Sequence, residues 1–207
     1  MESVYVANFV LDPTSALDPF LVNRRHDKEI DNAGVTIKEE RKFLLLSLTA
    51  FKNNYEELSD VIFSEYGITL PKYGKISRSS QINLINIAPG QWLIYSFDNP
   101  ISNFLSIIEP IVGNLGAIVD LSDARAIIKI SGPKVRDTLA KGVSIDLHPR
   151  KFTPDRAVST FAAQLGMTIW QSEDGLTFYI SVFRAFGYSL LNWLITSASE
   201  FGYNIEI

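Results

Sequence analysis

The chain of 207 residues carries 19 Lys and Arg against 23 Asp and Glu, a formal net charge of −4, with two histidines and no cysteine. It therefore has no thiolate nucleophile, disulfide, iron–sulfur cluster or cysteine-type zinc site, and two histidines cannot build a three-histidine metal centre. A pI of 5.2 argues against phosphate-backbone binding, while 46% hydrophobic and 20% charged residues describe a globular chain able to bury about 70% of its unfolded surface.

Residues 1–13 have no basic leader and include Glu2 and Asn8, so no secretory signal is expected. The uncharged stretch 79–97 contains Gln81, Asn83, Asn86 and Gln91 around Pro89-Gly90, which a lipid-spanning helix would not carry. The expectation is a soluble, cytoplasmic protein without nucleic-acid or membrane partners.

Residues 1–32 read as an irregular N-terminal arm with Asp12-Pro13, Asp18-Pro19 and the charged run Arg24 to Glu29. Phe43 to Leu48 is short and apolar, a buried strand. Asn53 is placed to cap a helix carrying Leu58, Val61, Ile62 and Tyr66, which ends at Gly67. Pro71 to Ser80 reads as a polar loop. Ile82 to Ile87 and Trp92 to Phe97 form a hairpin about Pro89-Gly90. A helix from about Ile101 buries Phe104, Leu105, Ile108 and Val112, and Gly116 to Leu121 is a strand.

The pattern then restarts. Ala126 to Ile130 is a strand leading into Ser131-Gly132-Pro133-Lys134, with Pro133 in the first turn of a helix burying Val135 and Leu139. Val158 to Leu165 and Met167 to Gln171 are extended, Ser172 to Gly175 is a turn, and Thr177 to Val182 is a strand. Phe186, Leu190, Trp193, Leu194 and Phe201 share one face of a long helix, and Tyr203 to Ile207 closes as a strand.

Leu48 to Lys52 aligns with Ile130 to Lys134, Trp92 to Phe97 with Thr177 to Val182, and Leu115 to Leu121 with Phe201 to Ile207, at offsets of about 82–86 residues. Each unit reads β-α-β-β-α-β, the ferredoxin-like order. The expected class is α+β: an arm over 1–32, a first repeat over 33–121 and a second over 122–207. Helices should pack on one side of mainly antiparallel sheets.

Chemistry-bearing groups are few. Ser144, Asp146, His148 and Arg150 alternate, so an extended backbone would place them on one face. A hydrolase triad instead converges from separate elements beside an oxyanion hole, so the expected role is a polar loop network before Pro149. His26 with Asp27 and Glu29, and His148 with Asp146, lack a metal-site spacing. Gly113 to Gly116 and Ser131 to Lys134 fit no nucleotide-binding pattern, and Pro133 removes a donor. Trp92, Trp170 and Trp193 lie in apolar periodic patterns and read as core. Arg184, flanked by Phe183 and Phe186, needs a carboxylate or carbonyl partner, internal or on another protein. From the residues alone, this is a binding or scaffolding chain.

Asp120 to Asp123, Ile130 to Pro133, Lys141-Gly142, Asp146 to Phe152, Thr160, Trp170-Gln171, Arg184 to Phe186, Asn192 to Leu194 and Glu200 to Gly202 resemble the gamma subunit of heterotetrameric sarcosine oxidase. Gly34 to Ile37, Tyr66 to Pro71 and Ile87 to Leu93 extend the resemblance more loosely into the first half. The resemblance implies a noncatalytic subunit of a flavoenzyme complex that oxidatively demethylates sarcosine to glycine, passing the one-carbon unit to tetrahydrofolate. It implies alpha, beta and delta subunits as partners, FAD, FMN and NAD in alpha and beta, zinc in delta, and no catalytic, cofactor or metal residue in this chain. It also implies a fold like the folate-binding T-protein of glycine cleavage, with duplicated α+β halves. His148, Arg150 and Arg184 are the expected subunit contacts. The family pattern has Arg-Ser where Arg184-Ala185 stands, and T-protein enzymes carry an acid on the strand matching Gly166 to Trp170, which has none here. The alternative is a free-standing tetrahydrofolate-binding, aminomethyltransferase-like protein.

Overall fold

A computed structural model describes residues 14–18, 33–97 and 103–206. Leu44–Ala50 (β2) is apolar along one face, with Leu45 buried on the other ahead of half-exposed Ser47 and Thr49. Leu44, Leu46 and Leu48 pack with helix residues, while Leu45 points the other way into a second core layer. The same alternation runs through Asn83–Ala88 (β4) and Gln91–Ser96 (β5), which meet at the Pro89-Gly90 turn with Gly90 at φ +70°. Gly116–Asp120 (β6) pairs with β2 on its other side. Ile76–Arg78 (β3) pairs with β4, so the expected polar loop 71–80 contains a short strand. The resulting sheet has order β3-β4-β5-β2-β6 and is antiparallel throughout.

Two helices cover its outer face. Tyr55–Tyr66 (α1) buries Leu58 and Ile62, carries Glu56 and Glu57 in its first turn, where the helix dipole favours anions, and stops at Gly67, φ +69°. Its N-cap is Asn54, not Asn53; the Asn54 side chain accepts no hydrogen bond from its own helix, and its amide donates to the Asn114 carbonyl at 3.2 Å. Phe104–Val112 (α2) buries Phe104, Ile108 and Val112 against the same sheet.

The second half repeats this plan. Arg125–Ser131 (β7), Val135–Leu139 (α3), Ala157–Ala162 (β8), Leu165–Gln171 (β9), Thr177–Phe183 (β10), Gly187–Ala198 (α4) and Tyr203–Glu206 (β11) follow the order of β2 to β6. The fold is α+β with two ferredoxin-like halves, as the repeat implied. Pro133 lies before α3, whose N-cap is Lys134, and the long final helix ends at Ala198, followed by a 3-10 turn over Ser199–Phe201. Phe186 is exposed rather than on the buried face.

One strand departs from the duplication. Val35–Glu40 (β1) falls within 33–121, the segment read as the first repeat, yet it pairs in the second sheet: antiparallel to β7 and parallel to β11. The second sheet is therefore β11-β1-β7-β10-β9-β8, where β1 separates the pair that β2 and β6 form directly in the first. The reason is steric. Gly34 accepts Lys134 N–H at 3.0 Å and donates to the Phe201 carbonyl at 3.0 Å, threading the chain between the two strand ends. Gly132, at φ +118°, leaves room for this: a Cβ there would sit 2.5 Å from the Gly34 carbonyl oxygen. The matching residue of the first half is Ala50.

Three core layers result. Leu58, Ile62, Phe104 and Ile108 fill the space between α1, α2 and the first sheet. Val135, Leu139, Leu190 and Leu194 fill that between α3, α4 and the second. Leu45, Leu93, Tyr95, Ile127 and Trp170 lie between the sheets. There Phe97 and Tyr179 stack at 4.6 Å and Tyr95 meets Trp170 at 5.2 Å. Burial pushes the Tyr95 hydroxyl up to about 12. The seam is tied by Ile76 N–H to the Asp155 carbonyl (3.0 Å) and by Arg78, which donates to the Pro154 and Gln171 carbonyls, each at 2.7 Å.

Candidate functional site

The residues singled out in the sequence do not converge. Asp146, His148 and Arg150 are exposed on a loop. The Asp146 carboxylate accepts the His148 backbone N–H at 2.8 Å, and His148 Nδ1 accepts the Arg150 backbone N–H at 3.2 Å. These are turn-closing bonds between near neighbours. The loop is pinned by buried Leu147 and Phe152, whose carbonyls accept from the Arg136 guanidinium, itself lying over the Phe178 ring at 4.9 Å. The polar-loop reading of this segment holds. His26, Asp27 and Glu29 lie outside the described residues, among which no group of three potential metal ligands occurs. No described helix is long and apolar enough to cross a membrane.

Arg184 follows β10 directly. Its backbone N–H donates to Ala124 at 2.9 Å and one guanidinium nitrogen to the Thr14 carbonyl, so one of its partners is internal. Beside it, a cavity of about 310 Å³ is lined by Ser15, Asp18, Glu39, Arg41 and Arg125. Glu39, on β1, is only 6% exposed. Ser15 Oγ donates to it, and Arg41, paired with Asp18 at 2.7 Å, approaches it at 3.9 Å. Desolvation outweighs these contacts and holds the Glu39 carboxyl above its ordinary range. Leu17 is buried in the core of the second half, so residues 14–18 of the arm are anchored rather than free.

A second cavity, of about 420 Å³, opens on the other side of Arg125. Phe161, Met167, Thr168, Phe183 and Phe186 line it. Arg125 stacks over the Phe183 ring at 3.9 Å, and among the described residues no carboxylate lies within 4 Å of its guanidinium. Partial burial lowers its affinity for the proton. Neither cavity contains His148 or Arg150. Sequence reasoning missed Glu39 and Arg125, and their signal was faint: Glu39 is one of three consecutive charges in Lys38-Glu39-Glu40, and Arg125 stands at the first position of its strand, where a charge is ordinary.

The architecture places the chain with duplicated α+β domains. It superposes on a chain of the heterotetrameric sarcosine oxidase from Corynebacterium sp. U-96 in complex with pyrrole 2-carboxylate, with TM-score 0.78, 24% identity, and coverage of 91% of this chain and 96% of that one. Against glycine cleavage system aminomethyltransferase T from Bartonella henselae the TM-score is 0.62 at 14% identity, covering 84% of this chain and 48% of that one. In sequence, residues 56–200 match the Sarcosine oxidase, gamma subunit family, and the chain belongs to that family. Sarcosine oxidase subunit gamma of Corynebacterium sp. (strain U-96) is 29% identical over 119 residues, 56% of this chain and 55% of that protein. The subunit gamma of Arthrobacter sp is 30% identical over 95 residues, 46% of each. The chain thus spans about half the length of the curated relatives it matches.

Proposed function

We propose that this chain is the noncatalytic gamma subunit of a heterotetrameric, sarcosine oxidase-type flavoenzyme complex. In this reading its partners are alpha, beta and delta subunits. FAD, FMN and NAD reside in alpha and beta, and zinc in delta. The assembly oxidatively demethylates sarcosine, or a related N-methyl amine, to glycine and passes the one-carbon unit to tetrahydrofolate. The chain's role is assembly, in the cytoplasm, with His148, Arg150 and Arg184 as polar contacts to partners. The domain division remains an arm and two repeats, with β1 donated to the second.

The family match over residues 56–200 carries this reading. The likeness to aminomethyltransferase T favours the second one, a free-standing tetrahydrofolate-binding protein. Against that, β9 (LGMTIWQ) offers no carboxylate to hold a pterin or serve as base.

Co-expression with candidate alpha, beta and delta subunits from the same organism separates the two. The tagged chain should recover all partners in stoichiometric amounts with flavin absorbance, through contacts burying on the order of 1,000 Å² or more. A lone monomer that ignores those partners, or that quenches its Trp fluorescence on binding tetrahydrofolate at about micromolar concentration, overturns the assembly reading.

A further inference from the structure

The inter-sheet face of the second sheet continues past the point where the first sheet covers it. Side chains two apart on a strand share a face, and the pairing register aligns them in rows. In the first row, Lys129–Tyr179–Trp170–Ala157, the last three are packed within the inter-sheet core and Lys129 is half-buried. In the next, Ile127–Ser181–Thr168–Ser159, the first three are still buried and Ser159 is exposed. In the last, Arg125 is paired with Phe183 and Gly166 with Phe161, and the cover has gone: Phe183 is 54% and Phe161 59% exposed. Gly166 leaves a gap where a Cβ would meet only the Phe161 ring, at 3.7 Å. Phe186, 44% exposed, flanks this row, and Ile87 of the first sheet marks where the cover stops.

Among the described residues, Arg125 is the only charged one lining this groove, in a chain whose net charge is −4. Its guanidinium lies over the Phe183 ring, with N–H donors to offer an acceptor, and the Ser159 and Thr168 hydroxyls, 3.3 Å apart, also line the groove. We propose that this uncovered row is a docking surface for a segment of a partner subunit, which sets an Asp or Glu carboxylate on Arg125 and apolar side chains on Phe161, Phe183 and Phe186. The charge pattern selects this occupant. A second copy of the same face would oppose Arg125 to Arg125, and a purely apolar segment would leave the cation desolvated and unpaired. An aromatic and Arg cluster with a single central charge is also the composition of an interface hot spot.

The inference rests on the assembly reading, and the test separates the two. In the co-expressed complex, a photo-crosslinking benzoylphenylalanine at position 161 should join an Asp- or Glu-containing segment of another subunit. Arg125→Met should weaken association at least ~30-fold at an unchanged unfolding midpoint, and Arg125→Lys should recover part of it. Cross-links to a second copy, to a segment without an acid, or to nothing overturn the docking surface while leaving the complex intact, as does wild-type association of Arg125→Met. Failure of the unmodified chain to join any flavin-carrying partner removes the assembly reading and this surface with it.

Discussion

Glu39 illustrates how one side chain ties the arm to the body. It sits on β1, which alternates buried and half-buried positions, and Ser15, Asp18 and Arg41 gather around it. Because burial raises its folded-state value, the protonated carboxyl is favoured in the native chain relative to the unfolded one. The stabilisation this gives is complete below the ordinary value of 4.5 and is lost as pH rises through the raised native value. Glu39→Gln keeps an acceptor for Ser15 but cannot ionise. Thermal unfolding midpoints measured from pH ~4 to ~8 should therefore shift in favour of the variant as pH increases. Parallel curves for variant and native protein would contradict the shift.

At the level of elements, β1 is the part whose placement is least local. Its insertion between β7 and β11 depends on Gly132, where φ of +118° and the 2.5 Å approach of the Gly34 carbonyl exclude a side chain. Gly132→Ala should cost at least ~1–3 kcal/mol, read as a lowered denaturation midpoint. Ala50→Gly, at the matching place in the first half, should cost less, since no strand is inserted there and the change lies within β2. Equal losses would mean that the crossing is not what Gly132 serves. The hairpin linking β8 to β9 also carries stored strain, with Ala163 at φ +47° and Gln164 at +72°, both non-glycine residues in the left-handed region.

For the whole molecule, the inter-sheet layer decides whether the halves behave as one body. Trp170 is fully buried there and meets Tyr95, Phe97 and Tyr179. Trp170→Ala should cost about 3–5 kcal/mol in global unfolding, with the fluorescence of Trp92 in the first half and Trp193 in the second reporting one coincident transition in the native chain. Separate transitions in the native protein would show that the two halves unfold independently. Beyond the layer's edge, the Arg125 row lacks its cover, which is why the same sheet face serves as core at Trp170 and as surface at Phe161.

Much of the architecture was legible in the chain itself. The apolar runs of β2, β5 and β7, the stop at Gly67, the Pro89-Gly90 turn and the near-constant offset between matching segments are local signals, set by side-chain alternation and backbone sterics. The loop role of Asp146, His148 and Arg150 was legible for the same reason, since its bonds join residues two apart. The pairing of β1 with β7 and β11 was not, because hydrogen bonds between distant strands leave no trace in either strand's periodicity. Nor were Glu39 and Arg125, whose character comes from what covers them. Residue order sets which faces are apolar, and only the packing of one sheet on the other determines which of those faces lie buried and which end in water.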